Sequence, residues 1–369
     1  MLPGPFYRSN KASVERESAS RIISISIKVL CPRGAIDVLE HMNSREVVTK
    51  AIEFDGPERI PLQFPEMGYS DIEGLPLIPE PDQGKGWSPS AGRSGEDEWG
   101  CYWTILPGRI NMGQVTGHPL SDWEKLKDYE FPDPQLPPVD RKGKKQVEGK
   151  YLMGGIGLTL FERMHFLRGF QNLLLDLHVN KDRALALADK VLDVQLRLTK
   201  QWAELGVDGI GMSDDWGGQD RLFIKPALWR EIFKPRYKRL IDAIHKGGMH
   251  AHMHSDGQIA EIIPDWIEVG LDVLNPPSIR ALFGIESFGR AFGGKVCILT
   301  GVDDQTTLIH GTRDEIVLEV KQLIAALGSF DGGLIAGWAD PCDTSSLEVP
   351  LVNIKTMYEA FRKYGKYRV

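Results

Sequence analysis

The sequence predicts a single (β/α)8 (TIM) barrel. Short apolar segments alternate with amphipathic helical segments along most of the 369 residues, which is typical of parallel strands joined by helices. Acidic, imidazole or amide side chains stand directly after several apolar segments, as they do at the rim of a barrel. No Gly-x-Gly-x-x-Gly follows the first predicted strand, so the sequence does not favour an open, doubly wound sheet.

The composition is that of a globular protein without a general affinity for polyanions. The formal net charge of −7 excludes a general attraction for nucleic acid or an anionic membrane. The cysteines Cys31, Cys101, Cys297 and Cys342 are far apart and form no Cys-x-x-Cys pair. They indicate neither a disulfide framework nor a zinc ribbon, so we expect a cytoplasmic protein. No apolar run is long enough to span a bilayer.

Residues 1–41 differ from the rest of the chain, being first basic and rich in serine and then apolar. We expect an N-terminal extension with little fixed structure, and the alternative is an edge strand at Ile22–Val29. The barrel domain is predicted to cover residues 42–369. Its first helix begins near Met42, with Asn43 or Ser44 as the cap.

The first barrel strand is predicted at Arg59–Phe64. A stretch rich in Gly, Pro and Ser at residues 68–95 indicates a long loop over the barrel mouth. A two-stranded excursion should follow at Glu98–Leu106 and Gly113–Gly117. Tyr151–Gly157 is then predicted to be a strand whose glycines allow close backbone approach.

The rest of the chain alternates regularly between strand and helix. A long helical region is predicted from Phe161 to Leu205, with apolar residues at helical spacing. Further strands are predicted to begin at Val207, His250, Leu271, Val296 and Leu334. Further helices are predicted to begin at Pro226, Ile259, Ile285, Thr312 and Val349. An eighth strand is expected between Trp99 and Val115 or is not visible in the pattern, and right-handed crossovers would close the ring.

Residues just after the strands of a parallel barrel share one rim, where active sites lie. This pattern indicates an enzyme. The candidates in chain order are Gln63, Glu66, Asp214, Asp215, Trp216, Gln219, His254, Asp256, Asn275, Asp303, Gln305, Asp340 and Cys342.

Three histidines on one predicted strand are expected to have different roles. His250, His252 and His254 alternate, so all three point to one side of the strand. We expect His254 to be functional, His252 less so, and His250 to be a packing residue. The pair His254-x-Asp256, with the thiol of Cys342, offers donor atoms suited to zinc or another divalent ion. The structural alternative for Cys342 is a small buried side chain.

The adjacent carboxylates Asp214 and Asp215 have two readings. One of them is expected to face the cavity, where neighbouring acidic groups raise each other's pKa and suit proton transfer. The other is expected to cap the following segment or to pair with a cation such as Arg221.

The order of several short motifs over most of residues 42–364 resembles the uroporphyrinogen decarboxylase superfamily. The motifs are Arg59-Ile-Pro, Glu98-Trp-Gly, Asp214-Asp-Trp-Gly-x-Gln219, His254-Ser-Asp-Gly257, Gly270-Leu-Asp-Val-Leu-Asn-Pro276 and Gly301-Val-Asp303. The resemblance implies a single (β/α)8 barrel that often forms a homodimer. It also implies either a decarboxylase or a cobamide-dependent methyltransferase.

Two departures from the superfamily's patterns bear on the choice. The decarboxylases carry an Arg-x-Ala-Gly-Arg-Tyr segment that holds substrate carboxylates, whereas this chain reads Gln63-Phe-Pro-Glu-Met-Gly-Tyr69. The methyltransferases hold zinc with a His-x-Cys pair and a distant Cys. This chain has His254 and Cys342 at the matching places but Asp256 instead of the first Cys. An oxygen ligand makes a harder Lewis acid, better suited to an ether or amine than to a thiol.

The resemblance therefore favours a zinc enzyme that moves a methyl group between a small methylated substrate and a corrinoid carried by a partner protein. The expected metal ligands are His254, Asp256 and Cys342. Asp214 or Asp215 would orient the substrate or move its proton, and Gln219 would donate a hydrogen bond. Substrate contacts are expected from Gln63, Glu66, Trp216, Asn275 and Asp303. The alternatives are a metal-free decarboxylase of uroporphyrinogen or a smaller acid, and a non-catalytic barrel that binds a partner.

Overall fold

The structure is a computed structural model that describes residues 41–82, 84–106, 112–276, 278–337 and 349–367. All of the predicted extension except His41 therefore lies outside the described residues. So do Asp340 and Cys342, two of the predicted rim residues.

The described strands are β1 (Leu62–Phe64), β2 (Tyr69–Ser70), β3 (Ile72–Gly74), β4 (Gly95–Glu96), β5 (Tyr102–Thr104), β6 (Gln114–Gly117), β7 (Tyr151–Leu158), β8 (Gly209–Ser213), β9 (His250–His254), β10 (Val273–Asn275), β11 (Cys297–Thr300) and β12 (Leu334–Gly337). Nine of them form the barrel sheet, in the order β2-β1-β12-β11-β10-β9-β8-β7-β3. Only β2 pairs antiparallel in this sheet, and its other eight strands run parallel.

Helices connect the parallel strands and cover the outside of the ring. They are α1 (Ser44–Glu53), α2 (Arg141–Gln146), α3 (Leu160–Arg168), α4 (Phe170–Val179), α5 (Lys181–Leu205), α6 (Pro226–Ile232), α7 (Lys234–Lys246), α8 (Ile263–Glu268), α9 (Ile279–Phe283), α10 (Ile285–Phe292), α11 (Thr307–His310), α12 (Arg313–Leu327) and α13 (Leu351–Tyr364). The predicted (β/α)8 barrel is confirmed. The predicted cap of α1 is Asn43, whose side chain accepts a hydrogen bond from the Glu46 amide.

The carboxylate of Asp71 joins the two ends of the sheet. It is fully buried and accepts hydrogen bonds from Arg59 at 2.6 and 2.8 Å and from the Leu62 amide at 2.8 Å. The Asp71 amide donates to the Leu62 carbonyl at 2.7 Å. Because Leu62 begins β1 and Asp71 precedes β3, these bonds bring the sheet ends together and nearly close the ring.

Two parts of the first third of the chain differ from prediction. The eighth barrel strand is β3, inside the stretch expected to be a loop, because Ile72 and its neighbours pair in parallel with β7 at Tyr151. The excursion has three strands rather than two, with β4 added beside β5 and β6.

A buried ion pair attaches the excursion to the barrel. Arg163, on α3, donates to Asp97 at 2.8 Å, and both side chains are at most 2% exposed. The Arg163 guanidinium also lies 4.8 Å from the ring of Trp99, and Trp103 donates its indole hydrogen to Asp97. The first turns of α3 are therefore fixed between the barrel and the excursion. None of the described helices is long and apolar enough to cross a membrane.

Candidate metal centre

Three neighbouring strands end side by side and deliver the candidate groups. Ser213 of β8 pairs with His254 of β9, and His254 pairs with Asn275 of β10. The residues that follow β8 and β9 therefore meet at the carboxyl rim of the barrel. Donor atoms of Asp215, His254 and Asp256 all lie within 4.8 Å of one another there.

The hydrogen bonds of His254 fix its tautomer. Its Nδ1 donates to Asn275 Oδ1 at 2.7 Å, and the amide nitrogen of Asn275 donates to the Leu299 carbonyl at 2.8 Å, which sets the amide orientation. His254 Nε2 is thereby directed at the two carboxylates, as a metal-binding imidazole requires. Asn275, expected to contact substrate, instead orients His254 and is 9% exposed.

The spacing of these atoms is close to that of a metal site. His254 Nε2 lies 4.0 Å from Asp215 Oδ1 and 3.7 Å from Asp256 Oδ2. Zinc bonds such atoms at about 2.0–2.1 Å, which puts two tetrahedral donors about 3.3 Å apart. An inward shift of well under 1 Å would therefore complete the geometry. The donor set of one imidazole and two carboxylates fits zinc or another borderline divalent ion.

Two glycines let the loops after β8 and β9 touch. A Cβ on Gly217 would lie 2.2 Å from the Gln258 nitrogen, and one on Gly257, whose φ is +81°, would lie 2.0 Å from the Gly217 oxygen. The Gly217 amide donates to the Asp256 carbonyl at 3.2 Å, and the Asp256 amide donates to Asp215 Oδ1 at 2.8 Å. This close contact holds Asp215 and Asp256 beside His254.

The charges of the three groups are mutually dependent. Burial alone would lower the pKa of His254, but the carboxylates of Asp256 and Asp215 outweigh it and raise that pKa to about 10. Burial would raise the pKa of Asp256, and the attraction of His254 outweighs it and lowers that pKa. Burial raises the pKa of Asp215 despite the charge of His254. A divalent cation bound here would take the place of the imidazole proton.

Asp214 and Asp215 have different roles. Asp214 is fully buried and accepts hydrogen bonds from the Phe161 amide at 3.0 Å, the Glu162 amide at 2.7 Å and the Tyr237 hydroxyl. Burial raises the pKa of Asp214 to about 7. It thus caps the start of α3, and its side chain does not reach the opening. Asp215, 38% exposed, is the one that faces it.

Of three further predicted residues, Trp216 and Asp303 are buried, whereas Gln219 is exposed at the predicted rim position. Trp216 is fully buried, stacks on Phe161 at 4.4 Å between ring centroids and donates to the Tyr237 hydroxyl at 2.8 Å, so it is a packing residue. Asp303 is 5% exposed and accepts from the Gln305 amide and the Thr306 hydroxyl, so it shapes the turn before α11. Gln219 lies exposed on the loop after β8.

Gln63 and Glu66 remain compatible with substrate contact. Gln63 lies in β1, Glu66 follows that strand, and both are partly buried. The Oε1 atom of Gln63 and the Oε2 atom of Glu66 are buried without a hydrogen-bond partner in the described chain. Burial raises the pKa of Glu66. The predicted ligand Cys342 falls outside the described residues.

The other two histidines of β9 belong to the barrel interior. The Tyr151 hydroxyl lies 2.9 Å from His250 Nδ1 and 3.1 Å from His252 Nε2. Burial lowers the pKa of His252 to about 3, so this imidazole is neutral. Its place in the packed interior agrees with the lesser role expected for it.

Sequence reasoning missed two carboxylates near the centre, Glu162 and Asp304. Glu162 is 8% exposed, and burial together with the charges of Asp215 and Asp214 raises its pKa well above the usual range. Burial, with the charges of Asp303 and Asp256, raises the pKa of Asp304 to about 6. Both stand shortly after barrel strands, so the positional rule used for the other candidates would have found them.

Comparison with known proteins gives the chain its family. The model of the uroporphyrinogen decarboxylase (URO-D) family matches residues 114–364, more than half of the chain. The chain belongs to the uroporphyrinogen decarboxylase family. The resemblance of the sequence motifs to this superfamily is confirmed. No curated protein matches the chain.

One solved structure shares the fold of this uroporphyrinogen decarboxylase family member. A methyltransferase from Methanosarcina mazei is similar over 88% of this chain and 99% of that chain, with a TM-score of 0.64 and 15% identity. At that identity the likeness shows a shared fold. D-psicose 3-epimerase from Clostridium cellulolyticum H10 covers 60% of this chain and 80% of its own, with a TM-score of 0.37 and 14% identity, too distant to support an argument.

Proposed function

We propose that this family member is a zinc-dependent methyltransferase that moves a methyl group between a small methylated substrate and a corrinoid carried by a partner protein. The observation that carries the proposal is the convergence of Asp215, His254 and Asp256 at the carboxyl rim, with donor atoms within 4.8 Å of one another. Family membership and the shared fold with a methyltransferase support it.

The proposed chemistry assigns a separate task to each residue. When bound, the ion would supply a Lewis acid for the heteroatom that carries the methyl group. His254 is held in the metal-binding tautomer by Asn275, and Asp215 and Asp256 would provide oxygen ligands. Cys342 is proposed as a further ligand, as its place in the sequence suggests. Asp214 is a positioning residue, because it holds the start of α3 and with it Glu162.

Exposure of the cluster favours an enzyme over a non-catalytic barrel. Asp214 is taken up by structural hydrogen bonds, whereas Asp215, His254 and Asp256 are 38%, 30% and 51% exposed. In the described part of the chain neither carboxylate has a Lys or Arg partner within 4.0 Å. A purely structural cluster would be expected to neutralise its charges internally.

Asp71 and the region after β1 do not favour a porphyrinogen decarboxylase. Asp71, in Ser70-Asp71-Ile72, sits too early in the chain to match the pyrrole-binding aspartate of the decarboxylases, and it is fully buried and bound to Arg59. The region after β1 lacks the arginines that would hold several substrate carboxylates.

Methyl transfer to a free corrinoid tests the proposal. The zinc-loaded protein is mixed with Co(I) cobalamin and a panel of methylated ethers and amines, and methylcobalamin formation is followed by absorption. Activity with at least one donor should disappear after chelation and in the His254→Ala and Asp256→Ala variants, with circular dichroism unchanged. Metal-independent decarboxylation of uroporphyrinogen, or transfer unaffected by chelation, would overturn the proposal.

A further inference from the structure

A cleft between the excursion and the helices α3 and α4 holds two imidazoles among aromatic rings. Its volume is about 260 Å³. Strand β6, the residue directly after it, and the helices α3 and α4 supply the lining side chains, which are Gln114, Val115, His118, His165, Phe166 and Phe170. This lining does not include Asp215, His254 or Asp256, so the cleft is separate from the metal centre.

The backbone of α3 fixes the tautomer of His118. Its Nδ1 donates a hydrogen bond to the Phe166 carbonyl at 2.7 Å. Because a carbonyl oxygen can only accept, Nδ1 carries the hydrogen, and Nε2 of the neutral ring is an acceptor. A Cβ on Gly169, at the corner between α3 and α4, would lie 3.5 Å from the Cδ2 atom of His118. The His118 ring is therefore packed against the end of α3.

His165 is a polar ring among phenylalanines. Its centroid lies 5.2 Å from that of Phe161, 4.3 Å from that of Phe166 and 5.4 Å from that of Phe170. Burial lowers the pKa of His165 to about 3, so the imidazole is neutral. Within the described ranges, no other residue forms a hydrogen bond with its ring nitrogens. Because polar groups in such surroundings are normally hydrogen-bonded, this ring indicates a ligand that completes it.

The lining of the cleft offers a charged ligand no ionic partner. None of the six lining residues is Asp, Glu, Lys or Arg. The guanidinium of Arg163 lies 6.0 Å from the Phe166 ring, but it is already paired with Asp97 at 2.8 Å. An ion that left water for this cleft would therefore lose its hydration without gaining a counter-charge. The cleft is suited to a neutral ligand.

Size and lining limit the ligand further. A dry apolar cavity of about 150 Å³ holds benzene, so this cleft has room for one aromatic ring with a short substituent. An aromatic ligand would gain edge-to-face or offset contacts with the phenylalanines. We propose that the cleft binds a small neutral phenol, whose ring packs against Phe166 and Phe170 and whose hydroxyl donates a hydrogen bond to the His165 imidazole. This inference does not depend on the proposed methyl transfer.

Nuclear magnetic resonance of the full-length protein with isotope-labelled histidine tests the site. The imidazole signals are followed during titration with phenol, with toluene, which lacks the hydroxyl, and with cyclohexanol, which lacks the aromatic ring. Phenol should shift the signals of His165 and His118. It should bind at least about tenfold more tightly than either analogue, because each analogue loses one of the two kinds of contact. Equal affinities for phenol and toluene would overturn the inference.

Variants identify the residues responsible. His165→Phe keeps the ring shape but removes the acceptor, so it should weaken phenol binding at least about tenfold and leave toluene binding unchanged. Phe170→Ala should weaken the binding of both ligands, and because Phe170 is 37% exposed its truncation should leave the circular dichroism unchanged. The control is His178→Phe, which replaces an exposed imidazole of α4 outside the lining and should bind phenol as the wild type does. Unchanged phenol binding in His165→Phe or in Phe170→Ala would overturn the inference.

The same titrations separate this inference from the proposed function. Phenol should bind with the same affinity to the zinc-loaded protein and to the chelated protein, because the cleft does not include the metal centre. A protein that binds phenol through His165 but binds no zinc would refute the zinc methyltransferase and support the cleft. Phenol binding that requires zinc, or that His254→Ala abolishes, would place the phenol at the metal centre and overturn the inference.

Discussion

Replacing Asp71 by Asn should destabilise the fold, because Asp71 joins the two ends of the sheet. The carboxylate is fully buried and accepts hydrogen bonds from Arg59, the Leu62 amide and the Ser44 hydroxyl. Breaking a buried ion pair typically costs about 3–5 kcal/mol. Because the Arg59 side chain is still 24% exposed, we expect a loss at the lower end, about 3 kcal/mol.

The pH dependence of that loss has a defined sign. Burial would raise the pKa of Asp71, but the hydrogen bonds and charge of Arg59 outweigh it and lower the pKa. The stabilisation is therefore complete above the ordinary Asp pKa of about 4 and is lost as the pH falls further. The difference between wild type and Asp71→Asn should be largest near neutral pH and should narrow below about pH 4.

Urea unfolding followed by circular dichroism measures this difference. The matched control is Asp82→Asn, because Asp82 pairs with Arg93 on the surface, where the side chain is 56% exposed, and its loss should change little. An Asp71→Asn protein as stable as the wild type at neutral pH would refute the assignment of Asp71 as a structural closure. If that variant also lost activity, Asp71 would instead belong to the active site.

Two other predictions concern loop contact and surface charge. Gly217→Ala should push apart the loops after β8 and β9 and weaken zinc binding at least about tenfold. The control Gly218→Ala should bind zinc as the wild type does, because no neighbour lies nearer than 3.7 Å to its added Cβ. Equal zinc affinities of the two variants in calorimetry would contradict this prediction. The hydrogen bond to Asp272 raises the pKa of His245. The contribution of this pair to the stability of the fold is therefore complete below about pH 6.5 and is lost as the pH rises through the raised pKa of His245. The free energy of unfolding of His245→Gln should therefore differ most from that of the wild type in mildly acidic buffer. A larger difference in alkaline buffer would contradict this prediction.

Sequence pattern predicted the parts of the fold that are set by local periodicity. The alternation in β9 and the apolar run of β7 are visible in the chain itself, and both strands begin at the predicted residues. The short strand β3 was missed because its three residues lie in a segment rich in Gly and Pro. Its strand conformation depends on pairing with β7, which is a tertiary contact.

The sequence predicted that the candidate site lies at the carboxyl rim of the barrel. It did not predict which side chains at that rim face the opening. The rule that residues after parallel strands share one rim selected His254, Asp256 and Asp215, and their donor atoms lie within 4.8 Å of one another. Which of Asp214 and Asp215 faces the opening is decided by the turn after β8 and by the amides at the start of α3, which no local pattern reveals. Trp216 follows the same strand, yet Phe161 and Tyr237 enclose it in the core.

The central claim, that the grouped imidazole and carboxylates hold a metal ion, is tested most directly by metal analysis of the purified full-length protein. Elemental analysis after zinc loading and dialysis should find about one zinc ion per chain, and the His254→Ala variant should retain its fold but lose the ion. Wild-type protein without metal, or a His254→Ala variant that keeps the full zinc content, would contradict the account.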